Sequence, residues 1–357
     1  MKKKYSMVLL ALATGFALTA CAGNDDASQE EPVDSEKVED VATDVETPEE
    51  IGDISQIGLG VSVNLGSSKV DDNGGNAQSD TTVAGVAFDA DGKIVKVIID
   101  TAQSKVPVNE GVVEAPETFK TKKELGPEYN MKPASGIDKE WDEQIEFLEG
   151  HFIGLTADEV MNIAVDDESY PTDADVLTGA TLKISSYQKA VANAWENVVA
   201  ADGVESIGLG IHTDLGHATK DAADEEGAAV QFEDNIALVG LDADGNVVTS
   251  QTDTAQNVIS FTSDNQLDGE YAEGTTKKTL GSEYGMKTTS ENVGIGKEWD
   301  EQAQAYDEYL VGKDANAVSD IELDEDGKAT DTDLVTGATI TIDGFKAATI
   351  KAFDNVK

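Results

Sequence analysis

Cysteine and histidine, which carry much of the redox, metal and nucleophile chemistry of proteins, are scarce in this chain of 357 residues. It contains one cysteine, Cys21, and three histidines. A secreted protein with a single cysteine has no intramolecular disulfide, and the lack of a Cys-x-x-Cys-His pattern excludes a c-type haem. None of His151, His212 and His217 recurs at a matching position in the internal repeat described below, which argues against a Ser-His-Asp set or a metal site in each copy. We therefore predict no catalytic triad and no metal site.

Basic residues are also scarce, since 25 Lys and Arg stand against 71 Asp and Glu and give a formal net charge of −46. Nucleic-acid binding needs basic residues that neutralise phosphates, so this composition argues against it. It argues equally against a chain that lies flat on an anionic membrane. Because carboxylates occur throughout the chain, no pair of them can be singled out for acid–base catalysis. The composition indicates a well-solvated protein.

The N-terminus has the pattern of a secretory signal. Lys2, Lys3 and Lys4 precede a short apolar stretch, Met7–Leu18, which is too short for a membrane span. The following Leu-Thr-Ala-Cys, which ends at Cys21, resembles a lipobox. The resemblance implies that residues 1–20 are a lipoprotein signal peptide and that Cys21 carries a diacylglycerol. An ordinary signal peptide with a chance cysteine is the alternative.

An acidic segment follows the cysteine. Residues 22–54 contain thirteen Asp and Glu, one Lys and no aromatic residue. Such a segment cannot bury enough apolar surface to fold, and its charges extend it. We predict that residues 21–54 form a disordered tether, which lifts the folded part off a membrane.

The rest of the chain contains an internal repeat. The matched segments are 57–60 with 207–210, 89–92 with 242–245, 100–103 with 253–256, 125–132 with 280–287, and 139–144 with 297–302. The repeat is too long for a solenoid unit. We predict a tandem duplication, with one domain over residues 55–202 and a second over residues 203–357.

Each copy shows the same order of predicted elements. In the first, Thr82–Phe88 and Lys93–Asp100 are β-rich runs around the turn-like Asp-Ala-Asp-Gly, which predicts a hairpin. A calcium loop is the alternative for that turn, but the further ligands it needs do not follow. Residues 139–149 have helical periodicity, with Trp141 buried. Strands followed by helices predict a small α+β domain.

A final helix closes each copy. We predict that Ser185 and Gln188 form a capping box at its start in the first copy, and that Asp343 caps it in the second. Just before each helix stands the repeated pattern Asp-x-x-Thr-Gly-Ala-Thr, at residues 175–181 and 333–339. An ordinary loop explains such residues, because Gly permits unusual backbone and Thr hydroxyls bond nearby amides.

The pattern also resembles the flavinylation motif of FMN-binding domains, which occur in the C and G subunits of the Na⁺-translocating quinone reductase and Rnf complexes. In that family an ApbE-type flavin transferase uses FAD and Mg²⁺ to attach FMN to the last hydroxyl residue through a phosphoester. The resemblance covers both copies and implies two covalent FMN groups, on Thr181 and Thr339. The overall layout is similar to the lipoproteins of Gram-positive extracellular electron transfer.

The resemblance also assigns the rest of each motif. Gly179 and Gly337 would let the transferase or the phosphate approach the backbone, with Ala180 and Ala338 beside them. Thr178 and Thr336 would bond phosphate oxygens, and Asp175 and Asp333 would serve transferase recognition or Mg²⁺ placement. Candidates to pack on the flavin ring are Tyr129, Tyr284, Trp141 and Trp299, although core packing is the more usual role of a tryptophan.

These features together predict a lipid-anchored electron carrier on the extracellular face of the cell membrane. It would accept electrons from a membrane quinol-linked donor and pass them to ferric iron or free flavins. An electron-transfer protein fits this pattern better than a substrate-specific enzyme. The alternative is a non-redox surface lipoprotein that acts as an adhesin or a solute-binding module. A further possibility, a signalling role for the released signal peptide, has no support in residues 1–20.

Overall fold

The computed structural model describes residues 51–72 and 74–357. The predicted signal peptide, Cys21 and most of the predicted tether lie outside the described residues. The last four residues predicted as tether, 51–54, contact the folded part. Gly52 N donates to Asp89 Oδ2 at 3.0 Å, and Ile54 packs against a buried apolar cluster. Residues 51–54 therefore belong to the folded part and not to the disordered tether that the sequence predicts for them.

The strands of the N-terminal half, residues 55–202, are all antiparallel. In space they follow the order β5-β4-β3-β1-β6, with β2 on β3. They are β1 (Gln56–Asn64), β2 (Lys69–Asp71), β3 (Gly74–Phe88), β4 (Ile94–Asn109), β5 (Val112–Val113) and β6 (Val199–Ala200). The predicted hairpin is confirmed as β3 and β4. Asp89 Oδ1 closes its turn by accepting from the backbone N–H groups of Asp91 and Lys93.

The helices of this half follow the long hairpin. They are α1 (Lys122–Leu125), α2 (Trp141–Phe152), α3 (Ala157–Met161), α4 (Ala174–Leu177) and α5 (Ser185–Glu196), with 3₁₀ turns at Gly126–Tyr129 and Lys132–Ala134. The predicted helix over 139–149 is confirmed as α2, with Trp141 buried. Helices α2 and α5 cover one face of the sheet and form an apolar core with it.

The C-terminal half, residues 203–357, has the same order of main elements. Its strands are β7 (Ser206–Leu215), β8 (Ala229–Leu241) and β9 (Val247–Ser260). Its helices are α6 (Lys277–Leu280), α7 (Lys287–Glu291), α8 (Trp299–Leu310), α9 (Ala315–Ser319), α10 (Thr332–Val335) and α11 (Asp343–Asp354), with a 3₁₀ turn at Gly281–Tyr284. Separate antiparallel strands and helices confirm the α+β class.

The two sheets pack face to face. Ile57 and Leu59 of the first sheet share a buried cluster with Ile207 and Leu238 of the second, and a second shared cluster lies at the far ends of the strands. A polar contact also crosses between the halves, since Leu59 N donates to Gln251 Oε1 at 2.7 Å. Residues 51–72 and 74–357 belong to one compact unit. The layers run helix, sheet, sheet, helix.

The predicted capping box at Ser185 and the predicted cap at Asp343 were both wrong. Helix α5 begins at Ser185, with Ile184 in the N-cap position and no side-chain cap. Gln188 is buried and donates instead to the carbonyl oxygens of Val160 and Ile163, at 2.9 Å each. Helix α11 likewise begins at Asp343 rather than after it. Tertiary bonds to the end of α3 therefore outweighed the local capping pattern.

Candidate functional site

Both Asp-x-x-Thr-Gly-Ala-Thr motifs form one helical turn followed by a tight turn. In the N-terminal half this turn is α4, and Asp173 caps it by accepting from Asp175 N at 2.8 Å. The turn ends at Thr178, whose Oγ1 donates to Asp175 O at 2.6 Å. In the C-terminal half, Thr336 Oγ1 donates to Asp333 O at 3.0 Å. The first threonine of each motif therefore closes its own turn.

The glycine of each motif is required by packing. A Cβ at Gly179 would overlap the ring of Phe147 on α2, and a Cβ at Gly337 would lie 2.7 Å from Ala305 Cβ on α8. The next residues, Ala180 and Ala338, are buried. Small residues therefore let the motif sit directly on a helix, which is a reason for Gly-Ala that the sequence did not reveal.

The acidic residues of the motifs point away from this packing. Asp175 and Asp333 are exposed. Within the part of the chain that the structure describes, no group of three or more His, Cys, Asp or Glu could hold a metal ion. The carboxylates are thus accessible to another protein.

The last threonine of each motif is held by a buried glutamine. Thr181 N donates to Gln144 Oε1 at 2.9 Å, and Thr181 Oγ1 donates to Ser135 O at 2.7 Å. In the other half, Thr339 N donates to Gln302 Oε1 at 3.0 Å. The glutamines end the repeated Lys-Glu-Trp-Asp-Glu-Gln segments. Sequence reasoning missed this role, although the identical recurrence was the available signal.

Thr181 lies in the wall of an open cavity of about 540 Å³. Its aromatic wall comprises Trp141, Tyr170 and Tyr187, and its polar lining includes Asp80, Gln103 and Lys122. Tyr187 and Lys122 had not been predicted as site residues. The volume lies within the range of about 300–1,000 Å³ that is usual for small-molecule sites. The arrangement can accept a planar aromatic group with a polar edge.

Polar contacts fix Trp141 and Tyr187, which line this cavity, and Tyr129, which packs edge-on against Trp141 but does not line the cavity. Trp141 Nε1 donates to the Tyr187 hydroxyl at 2.9 Å, and the Tyr129 hydroxyl donates to Gln103 Oε1 at 3.3 Å. Trp141 is a core residue, as expected, and it also lines the cavity. Burial raises the pKa of Tyr187 above its usual value, so its hydroxyl stays protonated at physiological pH.

The second half reproduces part of this arrangement with changes. The Tyr284 hydroxyl donates to Gln256 Oε1 at 3.0 Å, as in the first half. Trp299 packs edge-on against Phe345, with ring centroids 5.6 Å apart, where the first half has Trp141 and Tyr187. A phenyl ring therefore stands where the first half has the Tyr187 hydroxyl that accepts from Trp141.

Comparison with known proteins gives no match from a family model, a curated protein or a solved structure. In residues 51–72 and 74–357, no helix is long and apolar enough to cross a membrane.

Proposed function

We propose that the chain is a membrane-anchored extracellular electron carrier, built by tandem duplication of an FMN-binding domain. FMN would be joined through phosphoesters to Thr181 and Thr339. The observation that carries this proposal is the position of Thr181, the last hydroxyl residue of its motif, in the wall of a cavity with aromatic and polar sides.

The residues fit the proposed cofactor. Attachment joins the threonine oxygen to the FMN phosphorus, breaks the pyrophosphate bond of FAD and releases AMP, and the hydroxyl proton passes to solvent. A flavin transferase of the ApbE type with Mg²⁺ would carry out this step. Gln144 fixes the backbone at Thr181, so the hydroxyl is presented at a defined point. The bound flavin supplies the redox chemistry, and the chain positions it.

The proposed location and partners follow from the sequence. A lipid on Cys21 and an acidic tether would hold the protein at the extracellular face of the membrane. A membrane quinol-linked donor would reduce the flavins, and ferric iron or free flavins would accept the electrons. A covalent link suits this location, because a dissociated flavin would diffuse away.

A solute-binding lipoprotein is the second candidate, and the cavity favours it as well. Its size and mixed lining would also suit a small, freely exchanging ligand. The two functions differ in a directly observable property, since only the carrier holds its ligand through a covalent bond.

Co-expression with a flavin transferase tests the proposal. On a denaturing gel the wild-type protein should show flavin fluorescence, each of Thr181→Ala and Thr339→Ala should retain roughly half of it, and the double variant should show none. Thr172→Ala, which removes an exposed threonine before the motif, is the matched control and should keep the full signal. A non-fluorescent wild-type protein would favour the solute-binding function.

A further inference from the structure

Lys122 is a buried cation that faces the cavity beside Thr181. Only 9 % of the residue is exposed, and it belongs to the cavity lining. Its Nζ lies 5.0 Å from the centroid of the Tyr129 ring and 5.4 Å from that of the Trp141 ring. Among the described residues, this nitrogen forms no hydrogen bond and no ion pair.

This arrangement is unusual for an ammonium group. Lysine offers three hydrogen-bond donors and is seldom buried without a paired charge. The two rings compensate in part through cation–π attraction. Burial lowers the pKa of Lys122 to about 8, against an opposing effect of Asp80. Lys122 therefore has no acceptor for its ammonium group among the described residues, and it lines the cavity.

The same arrangement occurs a second time in the chain. Lys277 Nζ lies 5.3 Å from the ring centroid of Tyr284 and 5.4 Å from that of Trp299. Burial again lowers the pKa of this lysine. In each half, the ammonium group of one lysine thus lies close to a tyrosine ring and a tryptophan ring.

This geometry defines the chemistry of a group that could accept hydrogen bonds from the Lys122 ammonium. Such a group must bring an acceptor-rich or negatively charged edge into a space bounded by aromatic rings. A phosphate on Thr181 has a second cation available, since Lys183 follows two residues later in the chain and also lines the cavity. The ring system of a flavin has carbonyl and ring-nitrogen acceptors along one edge, which suits Lys122.

We propose that Lys122 binds the acceptor edge of the flavin ring and stabilises its reduced form, with Lys277 in the same role in the second half. This inference rests on the proposed function. Reduction by two electrons with uptake of one proton leaves one additional negative charge on the ring. The ammonium group remains protonated and faces that charge at short range, where little water intervenes.

The test measures the midpoint potential of a single bound flavin. The full chain with Thr339→Ala is co-expressed with the flavin transferase, so that only Thr181 is modified. Lys122→Met removes the charge, and Lys122→Arg keeps it. Lys120→Met is the matched control, because Lys120 is exposed and pairs with Glu128 at 3.3 Å.

Lys122→Met should disfavour the reduced flavin by about tenfold or more, which lowers the potential of a two-electron couple by about 30 mV. Lys122→Arg and Lys120→Met keep the charge at the ring. In each of them the equilibrium constant for flavin reduction should therefore stay within a factor of about three of that in the Thr339→Ala parent protein. Equal potentials for Lys122→Met and Lys120→Met would overturn the inference. A parent protein without covalent flavin would instead overturn the proposed function.

If Lys122→Met is not modified by the transferase, the affinity of the unmodified proteins for riboflavin is measured in place of the midpoint potential. Riboflavin has the ring but no phosphate, so it reports the ring contact alone. Weaker binding by Lys122→Met than by Lys120→Met supports the inference. Equal binding, or no binding even by the unmodified parent, contradicts it.

Discussion

At the scale of single residues, the buried side chains of Gln144 and Gln302 fix the position of the threonines proposed as attachment sites. Gln144 accepts from Thr181 N, and its Nε2 donates to Lys139 O at 3.3 Å. Gln302 makes the matching pair of bonds to Thr339 and Lys297. Each glutamine therefore links the start of a long helix to the last threonine of a motif. No other residue type of this length offers both an acceptor and a donor without charge.

Gln144→Leu should impair modification at Thr181 and leave Thr339 unaffected. It leaves the Thr181 N–H without its acceptor, which should cost about 1–3 kcal/mol of unfolding free energy. Denaturant unfolding and mass spectrometry of flavin-bearing peptides would measure the two effects. Gln302→Leu is the reciprocal control and should affect only Thr339. Loss of both flavins in either single variant would contradict this local role.

At the scale of elements, the closing helices lie unusually close to their sheets. A Cβ at Gly58 or Gly60 on β1 would overlap the carbonyl oxygens of Ala194 and Ala190 on α5. Gly208 and Gly210 on β7 meet α11 in the same way. The glycines of the repeated Ile-Gly-Leu-Gly segment therefore let the backbone of the closing helix pack directly against the strand.

Gly60→Ala should destabilise the protein by about 1–3 kcal/mol, because α5 must move away from the sheet. Gly150→Ala is the matched control, and its expected effect on stability has the opposite sign. Gly150 lies within α2, and a Cβ added there would meet no atom within 4 Å, so alanine should stabilise that helix by about 0.5–1 kcal/mol. Urea unfolding of the two variants beside the wild type measures both changes. A neutral Gly60→Ala would refute the close contact.

Elements with strong local patterns could be predicted from the sequence. The hairpin turn at Asp89 and the amphipathic helix around Trp141 depend on residues close together in the chain. The helix caps could not be predicted from the sequence, because Gln188 bonds to residues about 25 positions away. The site was predictable only in part. Repetition singled out Thr181, whereas Lys122 becomes a site residue only once α1, α2 and the sheet meet.

At the scale of the whole molecule, the halves are joined by a shared core, and the buried carboxylate of Asp234 lies in it. Asp234 on β8 accepts from Thr81 Oγ1 of the other half at 2.5 Å and from Thr213 Oγ1 at 2.6 Å. It is fully buried. Burial raises the pKa of Asp234 from 3.8 to about 6, while the two threonines act in the opposite direction and Asp214 and Asp80 add to the rise.

The raised pKa of Asp234 predicts that its effect on stability depends on pH. The folded state binds the proton more tightly than the unfolded state, so its contribution to stability is fully present below pH 3.8 and is lost as the pH rises to about 6. Asp234→Asn cannot titrate. Between pH 4 and 7, the wild type should therefore lose about 2–3 kcal/mol relative to this variant. Other carboxylates titrate in both proteins, so the difference between two urea series isolates Asp234. Asp264→Asn, at an exposed position, is the control, and its unfolding free energy should follow that of the wild type at every pH. If the curves of unfolding free energy against pH were parallel for the wild type and Asp234→Asn, the shared core would not hold a titrating charge.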